Sequence, residues 1–162
     1  MAARSPGPLA AVAVGGALAC AALARVSFAV PGSPVPVSLQ TLAVIGVAFV
    51  GGGLGGTLAM ALYLGAAAAG LPVLADGEGG LDVVRGPTAG YLAGFLAAPA
   101  VAWGLAESAR DWPRPLGVAL GGAAAHVVIL GLGAAWLVIG VGVGSQAAVA
   151  QGAQQIERRL PP

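Results

Sequence analysis

Asp76, Glu78, Asp82 and Arg85 stand within ten residues of one another, in a chain whose whole complement of charge is seven arginines and six acids. They lie on residues 71–95, LPVLADGEGGLDVVRGPTAGYLAGF, between long runs with almost no charge. Glycines in this stretch let backbone approach a ligand closely. Arg85 offers a planar fork of donors suited to a carboxylate. Thr88, placed to N-cap the following helix, and Tyr91 one turn later add hydroxyls. Upstream, VPVSLQTL opens another apolar run with Ser38, Gln40 and Thr41. Free backbone N–H groups at a helix start add to the donors of those side chains. Facing each other, the two stretches make a pocket with apolar walls and a few oriented polar groups, which suits a small amphipathic anion. The plainer alternatives are a solvated connector for the acids and a juxtamembrane anchor for Arg85.

Bond-breaking chemistry has no comparable support. The sequence holds no His paired with a Ser or Cys motif, no HExxH, no paired carboxylates on one helix face and no P-loop. His126, alone in an apolar run, reads as a packed or hydrogen-bonded core residue. The apolar runs also offer Ser27, Thr57 and Tyr63, and such a set suits hydrogen bonding to a solute better than catalysis. No enzyme is expected. One cysteine and one histidine cannot assemble a metal site, and no cofactor motif is present. Cys20, among alanines, reads as a small buried hydrophobe. Seven scattered arginines form no basic patch, so nucleic acid is not an expected partner.

The elements that must position these groups are membrane helices. Charged residues are 8% of the sequence and hydrophobic ones 58%, against about one quarter charged in soluble domains. Such a chain cannot cover a water-facing surface, and its mean hydropathy of +0.92 agrees. The expected architecture is an all-α integral membrane protein, one domain over residues 1–162, with a bundle of five to six transmembrane helices packed through small residues. Spans are expected near 9–30, 38–50, 57–71, 88–107 and 116–143. A sixth near 145–157 is too polar to be assigned from hydropathy. No charge occurs from Val26 to Ala75, a stretch too long for one span of about twenty residues. The prolines at 31–36 and the glycine cluster at 51–56 divide it. Arg25 is expected to snorkel to the headgroups. With the N-terminus cytoplasmic, Arg4, Arg110 and Arg114 lie inside against Arg25 and Arg85 outside, a small bias in the expected direction. That topology puts residues 71–87 and the 31–37 turn on the outer side.

Small residues recur four apart in the spans: Gly52 and Gly56, Gly90 and Gly94, Gly117 and Gly121, Gly140 and Gly144, and Ala13, Ala17 and Ala21. That spacing lets membrane helices approach closely. A composition this rich in glycine and alanine also produces such pairs by chance, which is the expectation for the glycines.

PVPVSLQTLAV at 34–44, YLGAAAAGLPVLADGEGG at 63–80 and GPTAGYLAGF at 86–95 together resemble the BioY family, from about Ala17 to Trp136. These are the substrate-binding membrane components of biotin uptake systems, related to energy-coupling factor transporters. The resemblance implies a six-helix bundle in the plasma membrane that binds biotin near the extracellular face. It also implies a transmembrane coupling protein and a pair of cytoplasmic ATPases as partners, although some members are thought to work without them. Its ligand-facing positions fall on Gln40, Thr41, Gly79, Gly80, Arg85, Thr88, Gly90 and Tyr91. Gln40 and the hydroxyls fit the ureido ring of biotin, and Arg85 fits its carboxylate. The family's small-residue contact with the coupling protein falls on Ala13, Ala17 and Ala21.

The departure is at the C-terminus. The family's sixth helix opens with a proline–glycine–aspartate turn and carries a lysine one turn later. This sequence has neither after Gly144, and no lysine anywhere. The alternatives to biotin uptake are therefore another small vitamin, disfavoured by 5% aromatics, or a truncated, non-transporting membrane protein.

Overall fold

The computed structural model of the chain describes residues 6–28 and 37–140. The proline turn at 31–36 and the span weighed near 145–157 lie outside the described residues. The order of elements is α1 (Pro6–Ala24), β1 (Ser27–Phe28), β2 (Val37–Ser38), α2 (Gln40–Ala68), α3 (Leu81–Val84), α4 (Ala89–Ser108) and α5 (Arg114–Ile139). Among the described residues four helices, all but α3, are long and apolar enough to cross a membrane. Helix is what such sequences must form in lipid, where no water satisfies a free N–H or C=O. Val50 is 76% exposed and Ile139 83%. On a water-facing surface so many bare aliphatic side chains would aggregate; against acyl chains they are at no disadvantage.

Hydropathy carried the first span to Val30, but α1 stops at Ala24. Arg25 N and Val26 N close the last turn on Ala22 O and Leu23 O, both at 3.2 Å. The chain then becomes extended, and Ser27 and Phe28 pair antiparallel with Ser38 and Val37. Leu39 N donates to Val26 O at 3.1 Å. This short ladder satisfies the backbone that another turn of helix would have satisfied.

α2 is one uninterrupted helix only by its hydrogen-bonding pattern. Gly52 has φ 74° and ψ 174°, far outside the helical region, and the chain folds back there. A Cβ placed on Gly16 would meet both Val47 and Ala59, and one on Gly56 would lie 3.2 Å from Ala48 Cα. No straight helix brings residues eight and twelve apart together. α2 is thus a hairpin with arms 40–51 and 53–68. The glycine cluster does divide two segments, and the turn needs a single residue.

The second arm packs on α4. Thr57 donates to Leu96 O at 3.3 Å, and Pro99, buried inside α4, rests on Gly56, which has no side chain to obstruct it. Where Cys20 of α1 meets the hairpin, its thiol lies 3.7 Å from Met60 Sδ, and both side chains are fully buried.

The glycine pairs read as chance are, in two cases, the two sides of one interface. Gly90 and Gly94 of α4 lie against Gly133 and Ile129 of α5. Gly121 and Gly117 of α5 lie against Ala102 and the Ala106 and Ala109 carbonyls. A Cβ on Gly94 would sit 2.7 Å from Ile129 Cα. Van der Waals contact between bare backbones is what holds membrane helices together when burial from water offers no drive.

These contacts set the polarity of the bundle. The Gly52 turn and the 109–113 connection lie at one end. The β1–β2 ladder, residues 69–88 and both ends of the α2 hairpin lie at the other.

Candidate functional site

Gln40 opens the first arm of α2, and Tyr63 lies on the second arm at the same height. Gln40 is 4% exposed and Tyr63 1%, and Gln40 Nε2 donates to the Tyr63 hydroxyl at 2.5 Å. The hydroxyl in turn donates a hydrogen bond to Val73 O at 2.9 Å. Ser38 Oγ donates to Gln40 Oε1 at 3.3 Å. The result is a directed chain, Ser38 to Gln40 to Tyr63 to Val73, that joins the ladder, both arms and the connection above them. Burying an amide in an apolar bundle is tolerable only when it is paired in this way.

Residues 69–80 close over this chain. Leu74 turns inward and is 4% exposed. Arg25 Nη2 donates to Pro72 O at 2.6 Å, so its side chain is spent on the loop and not only on headgroups. Ser27 Oγ donates to Asp76 Oδ1, also at 2.6 Å. Gly70 and Gly80 hold φ 93° and 104°, a region closed to most side chains. Asp76, at φ 57°, is of a residue type that tolerates the left-handed region. Gly80 N donates to Ala67 O at 2.7 Å and Leu74 N to Glu78 O at 3.0 Å. A Cβ on Gly79 would collide with the carbonyl of Leu71, so this glycine serves the close fold of the loop on itself.

The remaining expected positions divide. Thr41 is half-buried beside Gln40. Arg85 is exposed; its backbone N–H donates to Leu81 O at 3.0 Å, and its side chain has no hydrogen bond or ion pair to another described residue. Thr88 occupies the N-cap position of α4, but its side chain does not cap. Its hydroxyl donates back to Val83 O at 3.2 Å, because the backbone at Thr88 is already helical. Gly90 is buried against α5, and the ring of Tyr91 covers Gly133. The structure therefore brings Gln40 under the loop that carries Gly79 and Gly80, and commits Gly90 and Tyr91 to the α4–α5 contact. Trp136 reaches from α5 to the same loop region, donating to Gly86 O at 2.9 Å.

From sequence, Tyr63 is only one polar group among several, and Arg25 reads as a headgroup anchor. The signal available was YLGAAAAGLPV: a tyrosine ten residues before Val73, with only small and apolar residues between. His126, expected in the core, is exposed midway along α5. The buried stripe of α5 instead runs through Gly117, Gly121, Ala125, Ile129 and Gly133. Among the described residues, no three His, Cys, Asp or Glu side chains form a metal-binding group.

Of the alanine row on α1, Ala17 is buried and Ala13 and Ala21 are half-buried. A groove of about 530 Å³ opens beside them, between α1 and the first arm of α2, with Ala11, Gly15, Gly46 and Val47 among its walls. It is apolar, lies at membrane depth and is separate from the Gln40 chain.

Comparison with known proteins agrees with the fold and the motifs. The family model described as "BioY family" matches residues 2–156. Biotin transporter BioY of Rhodobacter capsulatus is 40% identical over 115 residues, covering 69% of this chain and 60% of that protein. Its namesake from Thermotoga maritima is 45% identical over 92 residues, 56% of this chain and 54% of that one. Biotin transporter BioY2 of Lactococcus lactis is 37% identical over 123 residues, 75% and 66% of the two chains. The matched part thus spans between about half and two thirds of these relatives' length. The crystal structure of the S-component for biotin from an ECF-type ABC transporter superposes with a TM-score of 0.75. It is 21% identical, and the match covers 94% of this chain and 83% of that one, which shows a shared fold.

Proposed function

The chain belongs to the BioY family, and on that premise we propose that it is the biotin-binding membrane component of an uptake system. Biotin is captured at the end of the bundle that carries Gln40, Tyr63 and the 69–80 loop. That end faces outward when the N-terminus is cytoplasmic, the orientation that arginine placement favours. The bundle has five to six crossing elements in the plasma membrane, the two arms of α2 counted separately.

The observation that carries the reading is the buried amide of Gln40. A ureido ring needs a donor and an acceptor side by side, and Gln40 presents both at the floor of the polar end. The relatives named as biotin transporters supply the identity of the solute. Arg85, exposed and with its side chain free of described partners, is the cation for the valerate carboxylate, at the rim. Thr41, Gly79, Gly80 and Thr88 complete the lining, with Gly90 and Tyr91 behind them as support. No ATP-binding motif occurs in the sequence, so import draws on a transmembrane coupling protein with a cytoplasmic ATPase pair, or on the solute gradient. Ala13 and Ala21, half-buried on either side of buried Ala17, with the groove at Gly15 and Gly46, form the side of α1 offered to such a coupling protein.

The test is calorimetric titration of biotin into the purified full chain, beside Gln40→Leu and Arg85→Ala. Binding that both substitutions weaken supports the reading, and recovery of chemically unchanged biotin accords with a carrier. A folded protein that does not bind biotin overturns it. That outcome favours the second reading, a non-transporting membrane protein.

A further inference from the structure

The Tyr63 hydroxyl has two partners that belong to different parts of the molecule. One is Gln40, the buried amide at the floor of the site. The other is Val73 O, in the loop above it. Both protons in this pair point upward, from Gln40 to Tyr63 and from Tyr63 to the loop. Of the two Nε2 protons of Gln40, one is given to Tyr63, and a solute that takes that one must displace the hydroxyl from it. It must also pass the loop that the same hydroxyl holds down.

The loop is built to move as one piece. Left-handed glycines stand at both of its ends, Gly70 at φ 93° and Gly80 at φ 104°, and a Cβ on either would meet nothing within 4 Å. Close packing therefore does not require these two glycines; backbone freedom does. Between them the loop is braced internally, Leu74 N to Glu78 O and Gly77 N to Leu74 O at 3.0 and 3.1 Å. It is tied to the bundle by few side chains: the hydrogen bonds of Arg25 at Pro72, Ser27 at Asp76 and Tyr63 at Val73, and the buried side chain of Leu74. The Arg25 and Ser27 ties are exposed and compete with water. Only the Tyr63 tie reaches down to the buried amide.

We infer that Tyr63 is a positioning residue that couples the two: residues 71–79 swing about Gly70 and Gly80 as a lid, and release of the Tyr63 hydroxyl both frees the lid and exposes the Gln40 amide to biotin. The choice of biotin as solute rests on the function proposed above; the latch itself does not. Tyr63→Phe keeps the ring in the core and removes only the hydroxyl.

Hydrogen exchange followed by mass spectrometry on the full chain in lipid nanodiscs reads the lid without a ligand. In Tyr63→Phe, amides of residues 71–80 exchange faster by about tenfold, the factor one buried hydrogen bond supports, while those of α2 and α4 keep the wild-type rate. Biotin then associates and dissociates faster with the variant than with the wild type. Exchange at 71–80 that does not change, or that rises equally throughout α2, overturns the latch. A faster lid with unaltered biotin kinetics overturns the coupling to Gln40. A wild-type protein that binds no biotin removes the proposed solute and leaves the exchange result to decide the latch alone.

Discussion

Gln40 and Tyr63 are hydrogen-bonded through their side chains although 23 positions separate them within one helical element. In a straight helix they would stand about 34 Å apart, at 1.5 Å per residue. The bond is possible because Gly52 reverses the chain midway, and it fixes the two arms in register at the end where the polar groups collect.

That reversal depends on a backbone conformation. Gly52 sits at φ 74° and ψ 174°, a region essentially confined to glycine, where another residue costs about 1–3 kcal/mol. Gly52→Ala is expected to lower stability by about that much, followed by thermal unfolding in detergent. Gly65→Ala on the second arm is the comparison. A Cβ there meets nothing, and replacing a helical glycine gains up to about 1 kcal/mol.

Close contact of α4 with α5 gives a second expectation. Gly94→Ala sets a methyl 2.7 Å from Ile129 Cα, a backbone atom that yields only if the helices separate. Overpacking of this kind costs about 1–3 kcal/mol. Gly131→Ala, on α5 but facing open space, should leave the melting temperature unchanged or raised.

Gln40→Leu separates folding from binding. Tyr63 keeps its bond to Val73 O, so the loss of stability should be close to one net hydrogen bond, about 1 kcal/mol. Biotin affinity should fall by about tenfold to a hundredfold, the range for losing a buried donor–acceptor group. Equal affinity in the variant, measured by calorimetry, would remove Gln40 from the site.

For Arg85 the expected pattern is the reverse. An exposed side chain with no described partner contributes little to folding, so Arg85→Ala should melt with the wild type. A charge-assisted hydrogen bond is worth about 1.5–3 kcal/mol, so the variant should bind biotin about ten- to a hundredfold less tightly. Biotin methyl ester, lacking the carboxylate, should bind both proteins alike. If the ester tells the two apart, Arg85 does not meet the carboxylate.

The membrane class and the break inside residues 38–71 were legible because they rest on composition and on local backbone preference, as at Gly52. The end of α1 was not. Ala24 and Val30 have equal claims to a helix, and what stops it, pairing of Ser27 with Ser38, is a contact eleven residues away. Polar residues near the site were found by type, as with Gln40, but not their partners. Tyr63 meets Gln40 only through the fold-back, and Gly90 lies against Gly133 across two helices, contacts that spacing does not show. Spacing revealed the glycine pairs without revealing that two of them line one seam, Gly90 and Gly94 against Gly133 and Ile129, Gly117 and Gly121 against Ala102, Ala106 and Ala109. His126 was misplaced because an apolar run does not say which of its faces meets protein and which meets lipid.

The hairpin has a consequence for the membrane itself. Its arms, 40–51 and 53–68, rise about 18 and 24 Å at 1.5 Å per residue, whereas the 26 residues of α5 rise about 39 Å. A hydrocarbon layer about 30 Å thick thus meets a low wall on one flank of the molecule and a high wall on the other. Lipids beside the low wall must thin, while the high wall is accommodated by tilt. The thinning draws the two aqueous faces closest together alongside the arms that carry Gln40 and Tyr63, so the shortest crossing of the bilayer lies beside the polar site.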